Sequence, residues 1–314
     1  MATTTSITTT YAGEAAGEFI SAALLSGSTI DNGGITVKPN VKFKEVIKTL
    51  STNDIVKDST CDFDPTSTIT LAERIIQPEY QQVNLQLCKK DFQSDWEAVS
   101  MGYSAHDNLP PAFSDFLIGH VAAKVAQGTE TSIWEGDTSN NGQFNGLTTL
   151  LDADAAHTGA KKIAGSSAIG AAATVITELG SIVDAIPSTV YGSEDLNIYV
   201  SSNVARAYVR ALGGFGASGL GAAGTNDLGT QWWNNGSLTF DGVKIFVAKG
   251  LANNTAIAAE KSNLYFGTGL LADHNEVKLI DMSDIDGSQN VRVVMRFTAG
   301  VQYGIVGDII SYGI

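Results

Sequence analysis

Two runs of alternating apolar and polar residues, set on either side of a proline, constrain this chain more than any other feature. In "DPTSTITLAERIIQPEYQQVNLQLCKKDF", Ile69 and Leu71 alternate with Thr68 and Thr70, and Val83, Leu85 and Leu87 alternate with Asn84 and Gln86. A period of two belongs to strands with one greasier face. Arg74 to Tyr80, with Pro78, reads as the bend between them. The expected product is a long β-hairpin whose arms, of roughly ten residues, reach ~33 Å at strand rise. An isolated two-stranded ribbon of that length is not stable in water. It needs a partner surface, within the chain or from another chain.

The segments around the ribbon differ in character. Residues 1–40 are rich in Thr, Ser, Ala and Gly and hold few large apolar side chains. Such a segment cannot bury enough surface alone, so it reads as an arm that is loose in isolation and can order against a neighbour. From Pro110 a helix is expected, with Phe113, Phe116, Leu117, Val121 and Val125 near one face and Pro110 and Pro111 tolerated in the first turn. Run to Trp134, it spans ~35 Å at 1.5 Å per residue. Gly136 is a natural stop. The stretch "SIWEGDTSNNGQFNGL" that follows reads as a hinge, because its glycines admit backbone angles that other residues resist. Glu135 and Asp137 at a helix C-terminus oppose anion binding there.

Beyond the loop the pattern is helix, strand, helix, then strands. An amphipathic helix carries Val175, Ile176, Leu179, Ile182, Val183 and Ile186 and ends by Pro187. "LNIYVSS" is a short apolar strand and "NVARAYVRALGGFG" a second helix. "SLTFDGVKIFVAKGL" is strand-like around Asp241-Gly242. At the C-terminus Val291, Val293, Met295 and Phe297 alternate, Thr298 to Gly300 turns the chain, and Val301, Tyr303, Ile305 and Ile309 return. An antiparallel hairpin is expected there. Helices and strands do not alternate regularly, so the class is α+β rather than a doubly wound parallel sheet.

The residues offer little chemistry. The net charge is −14, which argues against gripping a phosphate backbone. There is no CxxC, and His106, His120, His157 and His274 show no ligand spacing, so no metal is expected. "GFGASG" at 214–219 matches G-x-G-x-x-G but follows a helix rather than a strand, and reads as a surface loop. In "DMSDIDGSQNVRV", Met282 stands where a calcium loop needs its first aspartate, and Val293 falls at the glutamate position. A turn with acidic caps is the better reading. "DADAAH" at 152–157 gathers carboxylates and His157 on a small-residue loop with nothing to hold them rigidly. Trp232 and Trp233 read as packing residues. No nucleophile motif occurs, so the chain is expected to be neither an enzyme nor a cofactor binder. The start lacks a basic region followed by an apolar core, and no run of ~18 apolar residues occurs. Neither export nor membrane insertion is expected.

The order of parts nevertheless resembles a known family. A long helix ending in "SIWEGDTSNNGQFNGL" is similar to the major capsid proteins of tailed phages, the Hong Kong 97 type. The resemblance implies an arm (1–40), an extended β-hairpin loop with its flanks (41–95), a peripheral domain with a long spine helix (96–150) and an axial domain (151–265). Closing strands shared by both domains (266–314) complete it. "LNIYVSSNVARAYVRAL" resembles the strand–helix step of the axial domain, and "LTFDGVKIFVAKGL" the family's G-x-P-V strand and its sequel, with Lys244 where proline is frequent. The resemblance further implies a shell of hexamers and pentamers in a virion, assembled in a host cytoplasm around double-stranded DNA held without sequence-specific contacts. A separate scaffolding protein, a portal and a decoration protein are the further partners it implies. Ile69, Leu71, Val83, Leu85 and Leu87 become the expected inter-subunit contacts. A nanocompartment shell holding protein cargo, and a surface-layer or adhesin protein, are the alternatives. Cys61 and Cys88 fall roughly opposite each other in a symmetric hairpin, but a reducing cytoplasm favours two free thiols.

Overall fold

The computed structural model describes residues 28–41, 43–52, 56–59, 61, 69–88, 111–213, 225–226, 229–230, 238–269 and 278–314. The glycine motif at 214–219 and the tryptophan pair lie outside them. The described chain starts with one helical turn, α1 (Ser28–Asp31), and strand β1 (Thr36–Lys38). Strands β2 (Glu45–Thr52), β3 (Ile69–Ile76) and β4 (Glu79–Cys88) follow. The long helix α2 (Pro111–Glu135) turns into α3 (Leu147–Ala153). Next come β5 (Lys162–Ile163), α4 (Val175–Asp184), β6 (Leu196–Val200), α5 (Ser202–Gly213), β7 (Thr225–Asn226) and β8 (Gly229–Thr230). Strands β9 (Leu238–Phe240), β10 (Val243–Val247), β11 (Ala256–Glu260), β12 (Leu264–Thr268) and β13 (Lys278–Asp281) lead to the turn α6 (Ser283–Asp286). Strands β14 (Asn290–Tyr303) and β15 (Ile310–Tyr312) close the chain.

Both alternating runs are strands, but they do not pair with each other. β3 pairs antiparallel with the preceding β2, from Glu45 opposite Ile76 to Thr52 opposite Ile69. β4 pairs instead with β14, from Glu79 opposite Ala299 to Cys88 opposite Asn290. The residues at the proline are thus a crossover between two sheets. The expected C-terminal hairpin is absent for a related reason. β14 runs unbroken through Gly300, because a Cβ there would come within 2.8 Å of the Gln77 carbonyl oxygen and 2.9 Å of Pro78 Cα. The glycine admits the crossover's backbone; it does not turn the strand.

β14 is the strand common to the body. Along one edge it carries β4; along the other it carries β13 near its start and β12 near its end, with β1 parallel outside β12. A second, six-stranded sheet has the order β5-β15-β11-β6-β10-β9. Its central strand β6 is buried at every residue. Leu196, Ile198 and Val200 face a core built with α4 and α5. Tyr199 faces the opposite core, with Trp134, Phe246 and Leu264. Helix α4 buries Val175, Leu179, Ile182 and Val183 at helical spacing, whereas Ile176, grouped with them in the sequence, falls outside that face and is exposed. Part of the expected arm is not loose. Ser28, Thr29 and Ile35 are buried in the body, because β1 completes a sheet edge.

Candidate assembly interface

The β2–β3 ribbon presents two unlike faces. Residues directly opposite in an antiparallel pair project to the same side. One face carries Val46 with Ile75, Lys48 with Glu73, Leu50 with Leu71, and Thr52 with Ile69. Its apolar members are open: Leu50 is 64 % exposed, Leu71 71 % and Ile69 63 %. The other face begins with Ile47 and Ile76, which are buried with Val41 against Tyr265, and continues with Thr49 and Ala72. The ribbon is therefore rooted by one end of one face. The apolar residues of its other face are uncovered, and a contiguous exposed apolar patch marks an interaction surface.

The expected contact residues divide between two places. Ile69 and Leu71 lie on the open face of the ribbon. Val83 and Leu87, on β4, pack with Leu117, Val121 and Val293 beneath α2, and Leu85 between them stays 42 % exposed. Val46, Leu50 and Ile75 belong to the open face but escape notice in the sequence. "EVIKTLST" does not alternate cleanly, since Ile47 interrupts it to anchor the root.

A polar clamp ties the root of the ribbon to the body. Arg74 Nη2 lies 2.6 Å from Asp154 Oδ2, and the guanidinium carbon sits 4.3 Å from the centre of the Tyr303 ring. The Tyr303 hydroxyl donates to the same carboxylate oxygen at 2.8 Å, and Ala156 N donates to the other at 2.9 Å. Burial works to raise the Asp154 pKa. The Ala156 amide, the Arg74 guanidinium and the Tyr303 hydroxyl outweigh it and hold the carboxyl at about 2. The "DADAAH" loop is thus held after all. Its His157 is buried, with Nε2 2.7 Å from Ser311 Oγ on β15 and Nδ1 without a hydrogen-bond partner. Burial first, then Lys162, pushes the imidazole below its usual pKa, so it favours the neutral form.

The end of α2 is fastened with equal care. Trp134 is fully buried, its ring 5.0 Å from that of Tyr199, and its indole N–H donates to Thr29 Oγ1 at 2.9 Å. One turn earlier Glu130 is buried, and its carboxylate accepts the Thr29 amide at 3.0 Å and the hydroxyls of Ser28 and Thr29. Sequence reading missed this residue; its place four before Trp134, on the same helix face, was the available signal. The turn after the helix is pinned and does not behave as a free hinge. Gly146 N donates to Gly136 O at 2.8 Å, Thr148 Oγ1 to Trp134 O at 2.6 Å, and Asp137 N to Gln143 Oε1 at 3.2 Å. A Cβ at Gly136 would stand 2.1 Å from Phe144 O, and one at Gly146 2.5 Å from Trp134 O. These glycines permit close approach of backbones.

The remaining candidates are structural. The "DMSDIDG" segment is a capped turn: Ser283 N donates to Asp281 Oδ1, Ser288 N donates to Asp286 Oδ1, and Gly287 is left-handed at φ +71°. Both cysteines are free and lie on different elements, Cys61 beyond β2 and Cys88 opposite Asn290. Among the described residues no three His, Cys, Asp or Glu side chains converge to hold a metal ion, and no helix is long and apolar enough to cross a membrane.

No protein-family model and no curated protein matches this chain. Solved structures do. The capsid of a native GTA particle superposes with a TM-score of 0.62 at 12 % identity, over 95 % of this chain and 94 % of the other. The capsid of Myoviridae Phage XM1 gives 0.56 at 13 % identity, over 94 % of each chain. The capsid of the Cyanophage P-SCSP1u gives 0.54 at 14 % identity, over 94 % of this chain and 90 % of the other. The chain is thus similar along nearly its whole length to these capsid structures and shares their α+β fold, of the Hong Kong 97 type.

Proposed function

We propose that the chain is a major capsid subunit, which assembles with copies of itself into an icosahedral shell around phage double-stranded DNA. The observation that carries this reading is the coverage. The likeness spans 95 % of this chain and 94 % of a capsid subunit, so it is not confined to one part of the fold. Within the fold, β2–β3 is the extended loop whose open face meets a neighbouring subunit. Helix α2 is the spine of the peripheral domain, and the six-stranded sheet with α4 and α5 is the axial domain. Strands β14 and β15 serve one domain each and join them.

Ile69 and Leu71, with Val46, Leu50 and Ile75 opposite them, are the inter-subunit contacts on this reading; Leu85 adds a smaller exposed point on β4. The net charge of −14 suits a container that holds nucleic acid without adhering to it. A scaffolding protein, a portal and a decoration protein are the partners such a shell would take. Native mass measurement and imaging of the purified protein test the assignment. Closed particles of megadalton mass are expected, with DNA inside when they come from infected cells. A small soluble oligomer would overturn the reading, and shells filled with a protein cargo would replace the capsid with a nanocompartment.

A further inference from the structure

The turn between α2 and α3 carries a chemistry that shell building does not use. Among the described residues, Asn32, Asn141 and Asn145 each precede a glycine. In an Asn–Gly pair the glycine nitrogen meets no Cβ obstruction as it approaches the asparagine side-chain carbonyl carbon. The nitrogen gives up its proton to solvent and bonds to Cγ. The Cγ–NH2 bond breaks, the side-chain nitrogen takes a proton from solvent and leaves as ammonia, and a five-membered succinimide remains. Water then opens the ring at either carbonyl, giving aspartate or isoaspartate.

The structure separates the three pairs. Gly33 N donates to Ile30 O at 3.0 Å, and Gly146 N donates to Gly136 O at 2.8 Å, so neither nitrogen is available. Asn145 is further held, because its Oδ1 accepts from the Thr138 amide at 3.1 Å and from the Thr138 hydroxyl at 3.2 Å. Asn141 and Gly142 are exposed, and together they form the middle of a turn closed by one long bond, Gln143 N to Asn140 O at 3.4 Å. Among the described residues no hydrogen bond engages the Asn141 side chain or the Gly142 nitrogen. Gly142 also stands at φ +80°.

We propose that Asn141 is a site of spontaneous deamidation, selected by the fold from the three Asn–Gly pairs among the described residues. The product adds one negative charge to a subunit that already carries −14. The isoaspartate form also lengthens the backbone of the turn by one methylene. Both changes arrive beside β4, since a Cβ at Gly142 would lie 3.9 Å from Gln81 Oε1. Gln81 lines a shallow surface cleft with Tyr80, Gln82, Arg296 and Thr298.

Peptide mass mapping of the intact, folded chain, incubated at mildly alkaline pH in water enriched in heavy oxygen, tests this. The expected result is a gain of about three mass units at Asn141, one from the exchange of NH2 for OH and two from the heavy oxygen, while Asn32 and Asn145 stay unmodified. The same chain in urea should convert at all three positions. An N141Q variant should lose the acidic isoform that grows with age and keep the parent's melting temperature. Conversion at Asn145 or Asn32 as fast as at Asn141 in the folded chain would overturn the proposal. So would an unmodified Asn141 in folded chain over a period that converts the denatured one.

Discussion

Strands β6 and β3 are both short runs rich in apolar side chains, yet one is buried at all five of its residues and the other at one of its eight. The difference comes from what flanks them. β6 lies between β10 and β11 in mid-sheet, with a packed core on each face. Among the described residues β3 pairs only with β2, and it reaches the body only at its root, where Ile76 is buried, Arg74 meets Asp154 and the Ile75 carbonyl accepts from Gln302. A strand of the first kind holds the fold together. One of the second kind leaves its binding free energy unspent within the chain, and a neighbouring molecule can use it.

Substitutions in the two regions should therefore differ in kind. The largest loss is expected at Trp134. Trp134→Ala opens a cavity and removes the indole bond to Thr29, and should cost ~3–5 kcal/mol in chemical denaturation. A loss below ~1 kcal/mol would show that the buried region is no more critical to the fold than the ribbon. Gly136→Val should follow, at ~1–3 kcal/mol or more, since its Cβ would overlap Phe144 O and the pinned turn cannot yield.

Arg74→Ala sits between the regions and should cost ~1 kcal/mol near neutral pH, because the pair is partly solvent-exposed. Its pH dependence is more telling. The Asp154 carboxyl is held at about 2 in the fold, against ~3.9 for a free aspartate. A depressed carboxyl contributes stability above its unfolded pKa and loses it as pH falls through the folded value. Acid titration of the parent should show that loss between pH ~4 and ~2, and in Arg74→Ala it should be smaller and complete at higher pH. His157 adds a weaker effect in a higher range. Its folded pKa is depressed, so its share of stability is full above ~6.5 and declines below that. His157→Gln should flatten that part of the melting-temperature profile; an unchanged slope there would mean the imidazole is not what titrates.

The sequence made the strands legible and left their pairing dark. Period two marks Ile69–Leu71 and Val83–Leu87 as extended, but it says nothing about which edge each strand meets. The crossover at Gln77-Pro78 and a tight turn leave similar traces. Gly300 misled for a comparable reason: glycine serves a turn and a close approach alike, and only the position of Gln77 O distinguishes them. Helices α2, α4 and α5 were readable, because helical spacing and stop residues are local. The clamp was not, since Arg74, Asp154 and Tyr303 are brought together by three elements distant in sequence. The open face was half readable, in Ile69 and Leu71; Val46, Leu50 and Ile75 emerge only from the β2–β3 register.

The claim that the open ribbon face is the assembly contact is tested most directly by native mass measurement on Leu50→Ser combined with Leu71→Ser. Both side chains are more than half exposed, so the monomer's stability should move by no more than ~0.5 kcal/mol. Under conditions where the parent forms closed megadalton shells, the double variant should remain a folded, soluble species of small mass. Shells of the same mass and yield from the double variant would contradict the account.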